Sequence, residues 1–160
     1  MVKTETEGRT HESAARIEAL YRKDGDRLWW ALLAWSGDRE IASDAVAEAF
    51  AQVLRRGPDV RDPGAWVWRV AFRVAAGELK RRGRFGPLTD AGYDLPEPSD
   101  LFAALAQLSD RQRAAVVLHH LAGYQLKEIA TVLGVNKATV GVHLTRGRRR
   151  LRELLEANDD

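Results

Sequence analysis

The side chains best suited to binding chemistry in this sequence are cationic, and they gather in two places. A basic cluster, KRRGR, runs from Lys80 to Arg84, and every charged residue from Lys137 to Arg152 is positive. The segment between them is acidic and holds Asp90, Asp94, Glu97 and Asp100. The net charge is only +2, so the distribution matters more than the total. Two separated basic ends predict two separate contacts with nucleic acid.

Side-chain patterns typical of enzymes are missing from the sequence. It contains no cysteine, which excludes disulfide frameworks, CxxC zinc sites and thiol catalysis. The adjacent His119 and His120 point about 100° apart on a helix and are poorly placed to share a metal. No Gly-rich phosphate loop or nucleophile motif is present. We therefore expect no enzyme activity, no metal and no cofactor.

Composition and periodicity predict a folded all-α chain. Of the 160 residues, 45% are hydrophobic and 30% charged, which suits one or two small domains. Apolar residues recur at helical spacing, and alternating strand patterns are missing. The sequence has no apolar run typical of a signal peptide or of a membrane span, so we expect no membrane association and a cytoplasmic location.

Three helices are predicted in a first domain, residues 11–82. The first runs from about Glu12 to Trp35, and the KDGD segment from Lys23 to Asp26 is expected to break or bend it. The second carries an apolar stripe from Ala42 to Leu54 and ends at Gly57. The third begins at Pro63, capped by Asp62, and runs to about Arg82.

A linker and a second helical domain follow. The segment GRFGPLTDAGYDLPEPSD, residues 83–100, is rich in Gly, Pro and Asp and predicts a flexible linker. The second domain covers residues 101–157. In it, Ser109 and Gln112 have the spacing of a capping box.

The segment LKEIATVLGVNKATVGVHL, residues 126–144, has the pattern of a helix-turn-helix. Gly134 suits a left-handed turn position, and Asn136 can cap the second helix. The buried stripe of that helix is predicted to comprise Val140, Leu144, Gly147, Leu151 and Leu154. Short and basic residues on the opposite face suit a major groove. An arginine-rich helix is usually a solvated face, but here the turn, the small residues and the arginines occur in register, which favours DNA binding.

The third helix, WVWRVAFRVAAGELKRR, interleaves aromatic and basic residues. Aromatic rings beside cations can stack on unpaired bases while the cations hold the backbone. Alternatively, one or two of these aromatics belong to the core, an interpretation that is stronger for Trp66 because it opens the helix beside a turn. Trp68 and Phe72 lie four residues apart and share a face.

From about Ala19 to Leu155, the chain resembles an extracytoplasmic-function (ECF) sigma factor, the small two-domain class of bacterial RNA polymerase sigma subunits. Three blocks carry the resemblance: GDREIASDAVAEAFAQVLRR, DPGAWVWRVAFRVAAGELKRR, and LSDRQRAAVVLHHLAGYQLKEIATVLGVNKATVGVHLTRGRRRLREL. They resemble, in order, the polymerase-binding helix of the second region, its promoter-melting helix that reads the −10 element, and the fourth region, which reads the −35 element.

The resemblance implies partners and site residues. The partners are promoter DNA, core RNA polymerase through its largest-subunit coiled coil and its flap, and, in many family members, an anti-sigma factor. The implied polymerase-binding residues are Asp44, Glu48, Phe50 and Gln52. The implied −10 residues are Trp66, Trp68, Arg69, Phe72, Arg73, Lys80 and Arg81. The implied −35 residues are Lys127, Lys137, Ala138, Thr139, His143, Arg146 and Arg149.

The sequence departs from the family pattern at several of these positions. Ala47 stands where glutamine is usual, Arg73 lies near a usual asparagine, and Gly77 lies near a usual aspartate. In the fourth region, Gln125 replaces a usual serine cap and His143 replaces a common arginine. The departures at Ala47, Arg73 and Gly77 therefore keep open a sigma-like interaction protein without promoter activity. A stand-alone LuxR-like helix-turn-helix regulator is the main other alternative, and the Trp-rich third helix with its following KRR argues against it.

Overall fold

The computed structural model describes residues 2–82 and 100–159, and all regular structure within these ranges is helical. The helices are α1 (Val2–Ser36), α2 (Arg39–Arg56), α3 (Pro63–Arg81), α4 (Asp100–Ala106), α5 (Asp110–His120), α6 (Leu126–Leu133) and α7 (Lys137–Asn158), with a 3₁₀ turn at Gly57–Asp59. The predicted all-α fold is confirmed. The predicted linker, 83–100, lies outside the described residues except for Asp100, which begins α4. Among the described helices, none is both long enough and apolar enough to cross a bilayer.

The predicted break in the first helix is wrong. Helix α1 continues through Lys23–Asp26 and extends at its N-terminal end to Val2. Gly25 is buried within it, and Leu28, one turn later, is fully buried. A glycine in a helix interior costs about 1 kcal/mol relative to alanine, whereas burying one leucine side chain contributes about 1.5–3 kcal/mol. Tertiary packing therefore outweighs the local cost.

The predicted helix starts are confirmed by their hydrogen bonds. Asp62 Oδ1 accepts from the amide of Ala65 at 3.1 Å, and Pro63 occupies the first position of α3. The amide of Gln112 donates to Ser109 Oγ at 3.3 Å, and the amide of Ser109 donates to Gln112 Oε1 at 3.4 Å. These reciprocal bonds form the predicted capping box of α5.

The helices form two bodies that pack against each other. The N-terminal body consists of α1, α2 and α3, and the C-terminal body of α4 to α7. Helices α4 and α5 contact α1, and α6 contacts α3. The two bodies share one continuous apolar cluster, to which Leu32 and Ala45 contribute from the first body and Leu118 and Ile129 from the second.

A buried arginine joins the two bodies. Arg113 on α5 is fully buried, and its Nε donates to the main-chain carbonyl of Trp35 at 2.6 Å. Its Nη1 donates to the carbonyl of Leu108 at 3.1 Å, and its Nη2 lies 3.7 Å from Asp110 Oδ1. Trp35 lies in the last turn of α1, where carbonyls lack intrahelical partners and carry partial negative charge. Arg113 therefore caps the C-terminal end of α1 from the other body.

Candidate nucleic-acid interface

Helices α6 and α7 form the predicted helix-turn-helix. Gly134 ends α6 in the left-handed region, with φ 67° and ψ 31°. Asn136 Oδ1 accepts from the amide of Thr139 at 2.8 Å and caps α7 at its first residue, Lys137. The roles predicted for Gly134 and Asn136 are therefore confirmed. The turn fixes the direction of α7 relative to α6 within the C-terminal body.

The inner side of α7 packs against α5. Of the predicted stripe, Val140, Leu144 and Gly147 are buried, and Leu151 and Leu154 are half-buried. A Cβ atom at Gly147 would lie 2.9 Å from Val116 Cγ2 and 3.2 Å from the carbonyl oxygen of Gln112. Since real Cβ contacts are longer than this, the close approach of α7 to α5 requires glycine at this position.

The outer face of α7 carries most of the residues predicted to contact the −35 element. Lys127, Lys137, Ala138, Arg146 and Arg149 are exposed, while Thr139 and His143 are half-buried. The hydroxyl of Thr139 already donates to Asn136 Oδ1 at 2.9 Å. Burial, with the charges of Arg111 and Arg146, lowers the pKa of His143 below its usual 6.5. The positive charge on this face therefore comes from lysine and arginine.

The adjacent histidines connect α5 to its surroundings. His119 Nδ1 is hydrogen-bonded to the carbonyl of Tyr124 at 2.9 Å, and Arg148 Nε donates to His120 Nε2 at 3.0 Å. The two rings lie edge to face, with centroids 4.9 Å apart. Burial, and then the Arg148 and His119 charges, lower the pKa of His120. A neutral His120 is the form that can accept a hydrogen bond from Arg148.

The aromatic residues of α3 are not exposed as expected. Trp68 is 4% exposed and Phe72 1%, whereas Trp66 is half-buried. The interpretation that Trp66 is the aromatic residue most suited to the core is therefore wrong, because Trp68 and Phe72 are the buried ones. The Phe72 ring lies 5.2 Å from that of Trp35, and the Trp68 ring lies 6.3 Å from that of Tyr124 in the C-terminal body. Tyr124 of the C-terminal body packs on Trp68, and Trp35 of the N-terminal body packs on Phe72, so neither ring can stack on a base in this arrangement.

The cations of α3 remain accessible. Arg69, Arg73, Lys80 and Arg81 are all exposed. Arg81 pairs with Glu78 on its own helix, whereas Arg69 and Arg73 form no ion pair within the described residues. That these cations bind DNA phosphates stays a prediction, and their exposure is compatible with it.

The carboxylates predicted to bind polymerase lie on the exposed face of α2. Asp44 and Glu48 are one turn apart and both exposed. Gln52 Nε2 donates to Glu48 Oε1 at 2.7 Å, and Arg55 Nη2 lies 3.4 Å from the same oxygen. The structure therefore brings Gln52 to Glu48, as a neighbour that orients the carboxylate.

Phe50 is buried, whereas a residue that contacts a partner would be exposed at the surface. It is 6% exposed, and its ring meets that of Tyr21 edge to face with centroids 5.0 Å apart. Tyr21 and Leu54 are the exposed apolar side chains beside it, and all three line a groove between α1 and α2. The predicted contact residue Phe50 is thus mainly a core residue, and the sequence reasoning missed Tyr21 and Leu54.

The residues at the contact between the bodies were also missed. Arg113, Trp35 and Tyr124 are all buried there, yet none was singled out from the sequence. One signal was available for Arg113. It precedes Val116 and Val117 by three and four positions, so it lies on the apolar stripe of α5, where an unpaired charge is costly.

Comparison with known proteins gives a consistent result. The family model described as "Sigma-70, region 4" matches residues 99–151, which include α4 to α6 and the first two-thirds of α7. The chain is 31% identical over 167 residues to the ECF RNA polymerase sigma factor SigL of Mycobacterium tuberculosis, covering 93% of this chain and 94% of the relative. It is 28% identical to SigM of the same organism, covering 87% of this chain and 76% of the relative.

Solved structures show the same fold at lower identity. The sigma factor RpoE from Bartonella quintana, in complex with the anti-sigma factor NepR, matches with a TM-score of 0.66 and 21% identity, covering 91% of this chain and 95% of that one. CnrH, in complex with the cytosolic domain of CnrY, matches with a TM-score of 0.64 and 20% identity, covering 94% of each chain.

Proposed function

Because the chain belongs to the ECF class of RNA polymerase sigma factors, we propose that it binds core RNA polymerase and directs initiation at specific promoters. The observation that carries the proposal is the capped helix-turn-helix, Leu126–Asn158, whose outer face is cationic and which lies largely within the region that matches the family model. The chain acts in the cytoplasm, and the polymerase performs all nucleotidyl transfer.

The C-terminal body reads the upstream −35 duplex. The first turn of α7 is exposed at Ala138, a side chain short enough to let the helix approach a major groove. Lys137, Arg146 and Arg149 are positioned to neutralise phosphates, which sets register and affinity. The same body contacts the polymerase flap.

The N-terminal body captures the melted −10 strand. Arg69 and Arg73 grip the backbone while Trp68 and Phe72 stack on unpaired bases. Unstacking a base costs a few kcal/mol, and stacking on a protein ring returns about 1–3 kcal/mol. Since Tyr124 of the C-terminal body packs on Trp68, capture by that ring requires the C-terminal body to move off α3. The arrangement described here is then a closed state that cannot capture the strand.

The exposed carboxylates of α2 dock on the largest-subunit coiled coil, with Asp44 and Glu48 facing basic side chains. An anti-sigma factor is the proposed antagonist. In the Bartonella quintana neighbour, the named partner is such a factor. A protein that binds both bodies of this chain would hold the closed state.

Charge reversal on α2 tests polymerase docking. The double variant Asp44→Lys, Glu48→Lys is expected to weaken binding to purified core polymerase about tenfold or more, because two attractive pairs become repulsive. Glu7→Lys, on an exposed stretch of α1, is the matched control and is expected to bind like the wild type. Unchanged affinity of the double variant, measured by fluorescence anisotropy, would remove α2 from the interface.

Strong duplex binding without polymerase would instead indicate the LuxR-like alternative. A gel shift with the free chain makes that distinction. The proposed sigma factor is expected to show weak, salt-sensitive binding on its own.

A further inference from the structure

A cleft lies where the two bodies meet. Its volume is about 370 Å³, within the range of small-molecule sites. The N-terminal body lines it with Trp35, Phe72 and two arginines, and the C-terminal body lines it with residues of α5 and α6. Boundaries between packed bodies are common places for ligands.

Three guanidinium groups border this cleft. Arg69 and Arg73 come from successive turns of α3, and Arg111 comes from α5. None of the three makes an ion pair within 4 Å inside the described ranges, in contrast to Arg82 at the end of α3, which pairs with Glu78 at 2.9 Å. Guanidinium groups bind phosphoryl oxygens through paired hydrogen bonds.

A buried donor adds to the arginines. Trp35 lines the cleft and is 4% exposed, and its Nε1–H has no acceptor among the described residues. A buried donor left unpaired costs about 1–3 kcal/mol. By contrast, Trp29 Nε1 on the same helix donates to Ser43 Oγ at 2.9 Å. An acceptor atom bound in the cleft would relieve that cost at Trp35.

The acidic side chain in the described lining is Asp110. Burial raises its pKa, and the charges of Arg113 and Arg111 act in the opposite direction. Arg113 Nη2 lies 3.7 Å from its Oδ1, so the carboxyl group is held toward Arg113. The charge of the cleft therefore stays positive.

We propose that this cleft binds a small phosphorylated nucleoside. Its phosphoryl group would bind Arg69, Arg73 and Arg111, and its base would lie against the apolar wall of Ala76, Val132 and Leu133. Trp35 Nε1–H would donate a hydrogen bond to an acceptor atom of the ligand. The ligand touches both bodies, so it binds the closed arrangement and stabilises it by mass action.

Binding in the cleft has a consequence for promoter use, and only this consequence rests on the proposed function. The ligand occupies Arg69 and Arg73 and, by holding the bodies together, keeps Tyr124 on the ring of Trp68. It therefore opposes capture of the −10 strand. Binding itself needs neither polymerase nor DNA.

Isothermal titration calorimetry on the full chain, without polymerase or DNA, tests the site. Adenosine 5′-monophosphate is expected to bind saturably, with a dissociation constant of roughly 1 mM or tighter. Adenosine and inorganic phosphate, each lacking half of the recognised groups, are expected to bind at least tenfold more weakly.

Two variants remove donors without touching α3. Arg111→Gln removes an exposed charge, and Trp35→Phe keeps an aromatic ring while removing Nε1–H. Each is expected to weaken adenosine 5′-monophosphate binding about tenfold, the loss of one charge-assisted or buried hydrogen bond. Arg22→Gln, exposed and paired with Glu18 on α1, is the matched control and is expected to bind like the wild type.

Three results would overturn the proposal. They are no saturable heat with adenosine 5′-monophosphate up to 10 mM (roughly ten times the weakest expected dissociation constant), equal binding by wild type and Arg111→Gln, and equal binding of phosphate and nucleotide. Because Arg111 is exposed, its substitution leaves the core intact, and a melting curve matching that of the wild type checks this. A chain that binds the nucleotide yet directs no transcript would contradict the proposed function alone.

Discussion

The guanidinium of Arg113 and the main-chain carbonyl of Trp35 are joined by a 2.6 Å hydrogen bond across the contact between the two bodies. The bond is buried and connects positions 78 residues apart in the chain. It places a cation at the partially negative end of α1. The same contact between the bodies places Tyr124 on the ring of Trp68, so this bond and the availability of the proposed −10 surface are linked.

Arg113→Met is expected to lower the free energy of unfolding by about 2–4 kcal/mol. The substitution leaves the carbonyls of Trp35 and Leu108 without their donor and the Asp110 carboxyl without its partner. Urea unfolding measures the stability. Acrylamide quenching of tryptophan fluorescence reports opening, and it is expected to increase as Trp35 and Trp68 become accessible.

Arg150→Met is the matched control for this variant. The Arg150 side chain is 50% exposed and lies 3.7 Å from Glu153 on the same helix, so its loss is expected to cost no more than about 0.5 kcal/mol. If both variants show the same stability and quenching, Arg113 does not hold the bodies together.

Gly147→Ala is expected to destabilise the chain by about 1–3 kcal/mol, because its Cβ meets Val116 and the main chain of Gln112 at overlapping distances. Gly77→Ala, in the interior of α3, serves as the comparison. Its Cβ meets nothing within 4 Å, so it is expected to stabilise by about 0.5–1 kcal/mol. Chemical denaturation of both variants checks the opposite signs, and a stable Gly147→Ala variant would contradict the described packing of α5 and α7.

Stability is expected to fall as the pH is lowered from about 7 through 6.5. In the folded chain, the pKa values of His120 and His143 lie below their usual 6.5. Burial is the largest cause of both shifts. The unfolded chain therefore takes up protons before the folded chain does, so the free energy of unfolding falls with falling pH. The free energy of unfolding levels off once the pH is below the pKa values that the two histidines have in the folded chain.

The double variant His120→Gln, His143→Gln isolates this contribution. Its unfolding free energy, measured by urea titration from pH 5 to 8 (about 1.5 units on either side of the usual histidine pKa), is expected to depend less steeply on pH than that of the wild type. Equal slopes for the two proteins would show that these imidazoles do not titrate differently in the folded and unfolded chain.

Features set by local sequence were the ones that sequence reasoning predicted well. The capping bonds of Asp62 and Ser109, the left-handed Gly134 and the cap at Asn136 each depend on residues within four positions of one another. Their geometry follows from the unpaired backbone groups at helix ends, and the residue types that can pair with those groups are recognisable in the sequence. The helix-turn-helix was therefore predictable in detail.

Features set by contacts distant in sequence were not predictable. Aromatic residues beside cations on α3 have the same pattern whether their rings face solvent or a second body. Distant contacts decide that both rings are buried: Tyr124 packs on Trp68, and Trp35 packs on Phe72. The continuity of α1 through Gly25 has a similar origin, because burial of its C-terminal half outweighs a local propensity that favoured a break.

Run-off transcription with purified bacterial core polymerase and a library of promoter fragments tests promoter-directed initiation by this chain. We expect transcripts that depend on the added chain and that start downstream of a shared pair of upstream elements. The requirement for the more distant element is expected to be lost in Lys137→Ala. Polymerase binding without any selected promoter would contradict promoter-directed initiation and would indicate a sigma-like interaction protein instead.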